Sequence, residues 1–358
     1  MVAEPPLVTA LCGDAEISAH FSGDAEVAMI LRFEAELARA QVAFGLVPQA
    51  SADRIASVAE TLRPDPAELG RAMARDGVSV PHLVQELRRA VGEPHAAFVH
   101  LGATSQDAID TGLMLRLRAV LDLLVVRLER LMEEMGRLVR EQGSRTLMAQ
   151  TRMQAALPFT LADKLATWQR PLEKHAARLS SLRAGLPVQL GGPIGTGESF
   201  GDQYEDIRRA LALRLGLGDA PSWQSDRTEI LDIAQALALL AGTTAKIGQD
   251  FALMAQTGIN AVRLAGGGGS SAMAHKENPV GAEVLVAIGR FNAGLLGLLG
   301  QSMIHENERS GAAWTLEWML LPQMAETTGR AIAVAEGLVS HAEFKALRGA
   351  FDYAACPK

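Results

Sequence analysis

Cysteine is almost absent: Cys12 and Cys356 are the only two in 358 residues, and they stand at opposite ends. Such a pair frames neither a disulfide scaffold nor a thiolate metal centre, and it fits a reducing, cytoplasmic compartment. Aromatic residues are scarce too, at 4% against 48% hydrophobic residues overall, so alanine and leucine carry the apolar content. That mix favours long packed helices over β-sandwiches. An excess of positive charge is missing. The balance is −7, and without a basic-aromatic stripe a nucleic-acid surface is not expected. The eight histidines show no His-x-x-x-His spacing, and neither Cys-x-x-Cys nor a dinucleotide fingerprint occurs, so no metal and no organic cofactor is expected. The start has no basic-then-apolar leader. The most apolar late stretch, Leu285–Ile304, is interrupted by Arg290 and Asn292, which argues against a membrane span.

What is present is helix. Residues 21–47 read as an amphipathic helix capped by Ser22 or Asp24 and ended by Gly45 and Pro48, with Ile30, Phe33, Leu37 and Val42 on its apolar side. Shorter helices are expected near 51–62, 66–75 and 80–91. From 106 to 142 no proline interrupts the chain, and Leu117, Leu121, Leu124, Leu128, Leu131, Met135 and Leu138 alternate spacings of three and four. This is a sustained seam on a helix of roughly 50 Å. Further long helices are expected at 229–262, 280–307 and 314–340, the last kinked or broken by Pro322. The glycine-rich Leu190–Thr196 marks a loop. The division expected is a helical N-terminal domain over 1–103, a long-helix bundle over 104–342 and a short tail over 343–358.

Three polar stretches carry chemistry. Gly266 to Glu283 runs GGGGSSAMAHKENPVGAE. Four glycines make a loop able to move, and Asn278-Pro279 starts a new helix. A hydroxyl is thus held near a cation, as in a lid that brings its own reactive group. The run is not a nucleotide-binding loop, because no Gly-Lys-Ser/Thr closes it. In PHAAFVHLGATSQDAIDT, the cluster Thr104, Ser105, Gln106 and Asp107 serves either as a helix cap or as an anion site at a helix N-terminus. The third stretch is QTRMQAALPFTLADK, residues 150–164.

These stretches resemble the signatures of the fumarase/aspartase superfamily. The first is similar to G-S-S-x-M-P-x-K-x-N-P, with Ala274 where proline is usual. The second is similar to H-x-G-x-T-S-Q-D, and the third to R-T-H-x-Q-x-A-x-P-x-T, with Arg152 at the histidine position. The opening around LRFE-x-x-LA-x-A, the GLVP that follows it, and ERSGAAWTLEWMLLPQ at 308–323 resemble the lactonising, cycloisomerase branch. The resemblance covers roughly residues 20–340.

It implies an all-α, fumarase/aspartase-like fold: a long central helical bundle shared in a homotetramer, a small N-terminal helical domain, and a C-terminal domain truncated or absent. It implies a small polycarboxylate as substrate and active sites built from three subunits of the tetramer; nucleic-acid and membrane partners are not expected on the composition given above. Ser270 would move the proton at carbon, with Lys276 and Asn278 steadying the negative charge. Thr104, Ser105, Arg152, Gln154 and Arg309 would hold carboxylates, beside His100, Gln106, Thr151, Ser271, Met273 and His275. Glu283, without a histidine partner, would pair with a cation or cap the helix after Pro279.

Arg152 narrows the reaction. Hydroxyl and amine eliminations need a general acid near neutrality, and arginine keeps its proton. A carboxylate leaving group needs none, and the reverse of its departure is lactone formation. The expectation is therefore a cycloisomerase of aromatic catabolism acting on a carboxylated muconate. A sulfonated muconate is the nearest alternative. Lyases of the adenylosuccinate or argininosuccinate type fit less well, because Ser79 in VSVPHL faces their other catalytic histidine position and His82 lies three residues off. A non-catalytic scaffold would have no need of Ser270, Lys276 and Asn278.

Overall fold

The structure is a computed structural model that describes residues 6–264, 268–269, 273 and 276–346. The chain opens with α1 (Pro6–Cys12) and α2 (Ala15–Ala19), then α3 (Gly23–Val42), α4 (Gln49–Thr61), α5 (Pro66–Asp76) and α6 (Val80–Val91). Ser22 caps α3, its hydroxyl accepting from the Ala25 N–H. A spine of three long helices and their partners follows. They are α7 (Ser105–Gln142), the hairpin β1 (Thr146–Thr151) and β2 (Gln154–Thr160), α8 (Leu161–Gly185), α9 (Tyr204–Leu215), α10 (Thr228–Ala255), β3 (Val262–Leu264), α11 (Val280–Leu299), α12 (Gly311–His341) and β4 (Ala342–Phe344). The fold is all-α, with two small antiparallel strand pairs, β1–β2 and β3–β4, among the described residues.

Two cores organise it. The seam of α7 is buried from Leu117 to Leu138 and packs with Trp168 of α8, Leu237 of α10, Leu285 of α11 and Ile332 of α12. Each such leucine contributes roughly 1.5–3 kcal/mol of burial. The second core joins α3, α4 and α6 to the first turns of α7, to Val188 and Leu190, and to α9.

Four boundaries differ from expectation. α10 stops at Ala255, because Gly258 (φ 95°) and Asn260 (φ 50°) take left-handed backbone that no helix continues. α11 stops at Leu299 and tightens into a 3₁₀ turn over Gly300–Met303. α12 starts at Gly311 and continues through Pro322, so of the kink or break expected there the break does not occur. The 150–160 box, to which the sequence assigns no element, forms a hairpin.

Both α10 and the segment Val280–Met303 are long and apolar enough to cross a membrane, with 50% and 44% of those stretches buried. They pack on each other and on α12 inside the bundle. The large apolar side chains they leave outside, Leu239, Phe291, Leu298 and Met303, are each more than two-fifths exposed.

Candidate active site

At the head of α7, Thr104 takes extended backbone and opens the helix, its N–H donating to Asp107 Oδ2 at 3.0 Å. Asp107 is fully buried and accepts three further hydrogen bonds, from Gly191 N–H (2.8 Å), Gly192 N–H (2.9 Å) and Gln189 Nε2 (3.1 Å). Burial pushes its carboxyl up to about 6, and the four donors restrain the rise. This one residue staples the glycine loop to the helix head. Gly192 needs its glycine: φ is +68°, and an added Cβ would sit 3.1 Å from Gly102 O.

Arg309 reaches the same place from the segment before α12. Its Nε donates to Gln106 Oε1 at 2.8 Å, and its Nη2 to Pro193 O (3.2 Å) and Thr104 Oγ1 (3.4 Å). Its guanidinium thus stands beside the positive end of a 38-residue helix, a place that favours an anion. Gln106 is buried, and its amide also donates to Asp110 Oδ2 (3.0 Å) and Gln224 O (2.7 Å). It therefore links Arg309 to Asp110 and to the Gln224 carbonyl. His100 sits just upstream, with Nδ1 2.6 Å from Glu34 Oε1.

Beneath these groups lies a buried charge cluster that the sequence did not announce. Arg227 bonds Asp110 (2.7 and 3.2 Å) and Glu317 (2.6 and 2.9 Å), all three without exposure, and Trp314 Nε1 donates to Asp110 Oδ1 at 3.1 Å. Burial acts to lower the Arg227 pKa, but its two carboxylate partners outweigh it and hold the guanidinium protonated; Glu317 is raised chiefly by burial. The cluster pins α7, α10 and α12 at one level. No local spacing marks it, since Arg227 lies 90 and 117 positions from its two carboxylate partners.

The other candidate residues lie away from this head. The 38 residues of α7 span about 57 Å, and the hairpin follows its last turn. Arg152 (φ 49°) and Met153 (φ 65°) form its two-residue turn, closed by Thr151 opposite Gln154. All four are exposed, Met153 by 73%, and Leu157 behind them by 63%. α8 starts at the hairpin's foot, where Lys164 and Trp168 bind Asp250 near the end of α10 at 2.8 and 2.7 Å.

Beyond α10, a cavity of about 790 Å³ is lined by Gln256, Arg263, Met273, Lys276, Asn278 and Lys345. Asn278 and Gly268 exchange backbone hydrogen bonds of 2.8 and 2.9 Å, closing the neck of the glycine-rich loop. An added Cβ at Gly268 would lie 2.6 Å from Val280 Cγ2. Ser270, Ser271 and His275 lie outside the described residues. Glu283 is exposed in the first turn of α11, where a carboxylate favours the helix dipole. A larger groove of about 1,090 Å³ between α3, α4 and α5 contains none of the candidate site residues.

One chain therefore presents two candidate half-sites: His100, Thr104, Ser105 and Arg309 at the head of α7, and, away from it, the hairpin turn and the segment of Lys276 and Asn278. Residues 14–291 match the lyase family. The chain is 39% identical to a 3-carboxy-cis,cis-muconate cycloisomerase of Pseudomonas aeruginosa, over 93% of its own length and 74% of that protein. The crystal structure of 3-carboxy-cis,cis-muconate lactonizing enzyme from Pseudomonas putida superposes with a TM-score of 0.89 at 35% identity, covering 95% of this chain and 78% of that one. The β-carboxy-cis,cis-muconate cycloisomerase of Acinetobacter calcoaceticus gives 0.88 at 31% identity, again over 95% and 78%.

Proposed function

The chain belongs to the lyase family, and from that membership we propose that it closes 3-carboxy-cis,cis-muconate into a carboxymuconolactone. The observation that carries the reading is the match to muconate cycloisomerases along almost the whole chain. The reaction is an isomerisation. One substrate carboxylate oxygen forms a C–O bond to a carbon of the conjugated diene. The displaced electron pair moves to the carbon next to another carboxylate and spreads into it, and a proton then adds at that carbon.

Each step assigns a task to a residue. Ser270 delivers the proton. Lys276 and Asn278 stabilise the charge spread into the carboxylate, a kind of interaction worth roughly 3 kcal/mol of barrier. Thr104, Ser105 and Arg309 bind one carboxylate at the head of α7, with His100 beside them. Arg152, Thr151 and Gln154 bind another from the hairpin. Arginine suits this place because ring closure has no leaving group to protonate, while a planar fork matches a carboxylate.

The two half-sites belong to one active site only if subunits meet head to tail. The proposal therefore includes a homotetramer in which α10 and α11 bury their exposed apolar sides and the hairpin enters a neighbour. The apolar exposure at Leu157, Phe291 and Leu298 supports it.

Loss of diene absorbance on mixing the protein with 3-carboxy-cis,cis-muconate tests the reading, with 3-sulfomuconate run in parallel. Turnover of the carboxylated substrate, with the lactone as product, is the expected result. Turnover of the sulfonated substrate alone, or of neither, would overturn it.

A further inference from the structure

We propose that Glu34 is a positioning residue for this reaction: through His100 Nδ1 it fixes the imidazole so that Nε2 is left to meet a substrate carboxylate. The inference rests on the reading of function just given.

Glu34 lies in the middle of α3, 66 positions before His100. Its side chain is 1% exposed, and its Oε1 stands 2.6 Å from His100 Nδ1. An ionised carboxylate only accepts, so Nδ1 carries the proton and the ring's second nitrogen is assigned outward. No described residue bonds Nε2. The backbone of the same loop is clamped on either side. Arg88 Nη2 donates to Val99 O at 3.0 Å, and Gln41 Nε2 to Leu101 O at 2.9 Å. Between them His100 holds φ at 60°, a left-handed setting unfavourable for any residue but glycine. Three side chains from α3 and α6 thus hold one histidine in a strained place, one loop away from the helix head and Arg309.

A purely structural role would not need a charge there. Glu34 Oε2 is buried with no partner, a costly arrangement that glutamine would ease. The carboxylate instead changes the ring. Burial alone lowers the His100 pKa. The charge and hydrogen bond of Glu34, aided by Asp107 of α7 and opposed by Arg88 of α6, reverse this and raise it above the ordinary histidine value. The imidazole then stays cationic closer to neutral pH, with Nε2–H available to an anion.

The test is Glu34→Gln, which keeps shape and an acceptor but removes the charge. Expected is a shift of the alkaline limb of kcat/KM by about one pH unit towards acid, with KM at pH 7.5 raised about tenfold and kcat changed less than about threefold. KM should return towards the parent's at pH 6. Unchanged profiles, or an equal loss of kcat at every pH, would overturn the proposal. Should the variant not fold, imidazole NMR of the parent decides. A His100 that titrates above the ordinary range, with its proton on Nδ1, supports the proposal; one that titrates below it overturns it. That titration also separates the two readings, because it needs no turnover of any muconate.

Discussion

A guanidinium and an imidazole at position 152 make opposite demands on the substrate. Arg152 keeps its proton and offers two parallel donors, so it can hold a carboxylate but not relay a proton. Arg152→Lys should keep charge and lose the fork, raising KM more than it lowers kcat. Arg152→His should give no gain in lactonisation, while Ser270→Ala should cut kcat about 10²- to 10⁴-fold with KM little changed. Steady-state kinetics on the three variants decides; an Arg152→His enzyme equal to the parent would refute the clamp. Asp107 permits a second measurement. Its folded pKa near 6 lies above the ordinary 3.8. The folded state therefore binds the extra proton between those values, and this contribution to stability is full below about 4 and lost as pH rises through about 6. Relative to Asp107→Asn, the parent should lose roughly 3 kcal/mol between pH 4 and 7, read from urea midpoints at each pH. A constant difference would mean that Asp107 titrates normally. At this scale the sequence was partly legible. Thr104, Gln106 and Arg309 are each singled out from a motif, and Arg309 lies within hydrogen-bond reach of the other two. Glu34 and Arg227 were not assigned, because a partner 66 or 117 positions away leaves no trace in local spacing.

At the scale of elements, periodicity was the reliable signal and turn chemistry the weak one. The seam of α7 repeats often enough that every one of its seven residues is buried. The hairpin escaped because its turn is Arg152-Met153 rather than Asn-Gly, although both residues sit at positive φ. Two such residues store roughly 1–3 kcal/mol each. Strain at an exposed turn bearing a proposed substrate clamp points to function over stability. Replacing Arg152-Met153 by Asn-Gly should therefore raise the thermal midpoint by a few degrees while lowering kcat/KM at least tenfold. Calorimetry and the absorbance assay on one sample check both. A variant that gained stability and kept full activity would leave the strain without a purpose.

At the scale of the whole molecule, the length of α7 is the decisive quantity. The first and last turns of α7 lie about 57 Å apart, so on the proposed reading head and tail groups meet on one small substrate only where the head of one subunit joins the tail of another. The exposed apolar sides of α10 and α11, and the protruding hairpin, are what such joining would cover. On that reading, oligomerisation leaves only an indirect mark on the sequence. A seam on a helix too long for a small domain implies company, but α7 spends that seam inside its own chain. The surfaces left for partners show only once the bundle is assembled. Complementation tests the arrangement directly. Thr104→Val should inactivate every head and Arg152→Ala every tail, so each variant alone should be nearly dead. Mixed at equal amounts with subunit exchange, random assembly gives about one site in four an intact head and an intact tail from different chains. Activity should then recover to about a quarter of the parent's, and light scattering should report a tetramer before and after mixing. If both variants stay inactive when mixed although exchange has occurred, or if the parent turns substrate over as a stable monomer, the two half-sites do not form a shared active site.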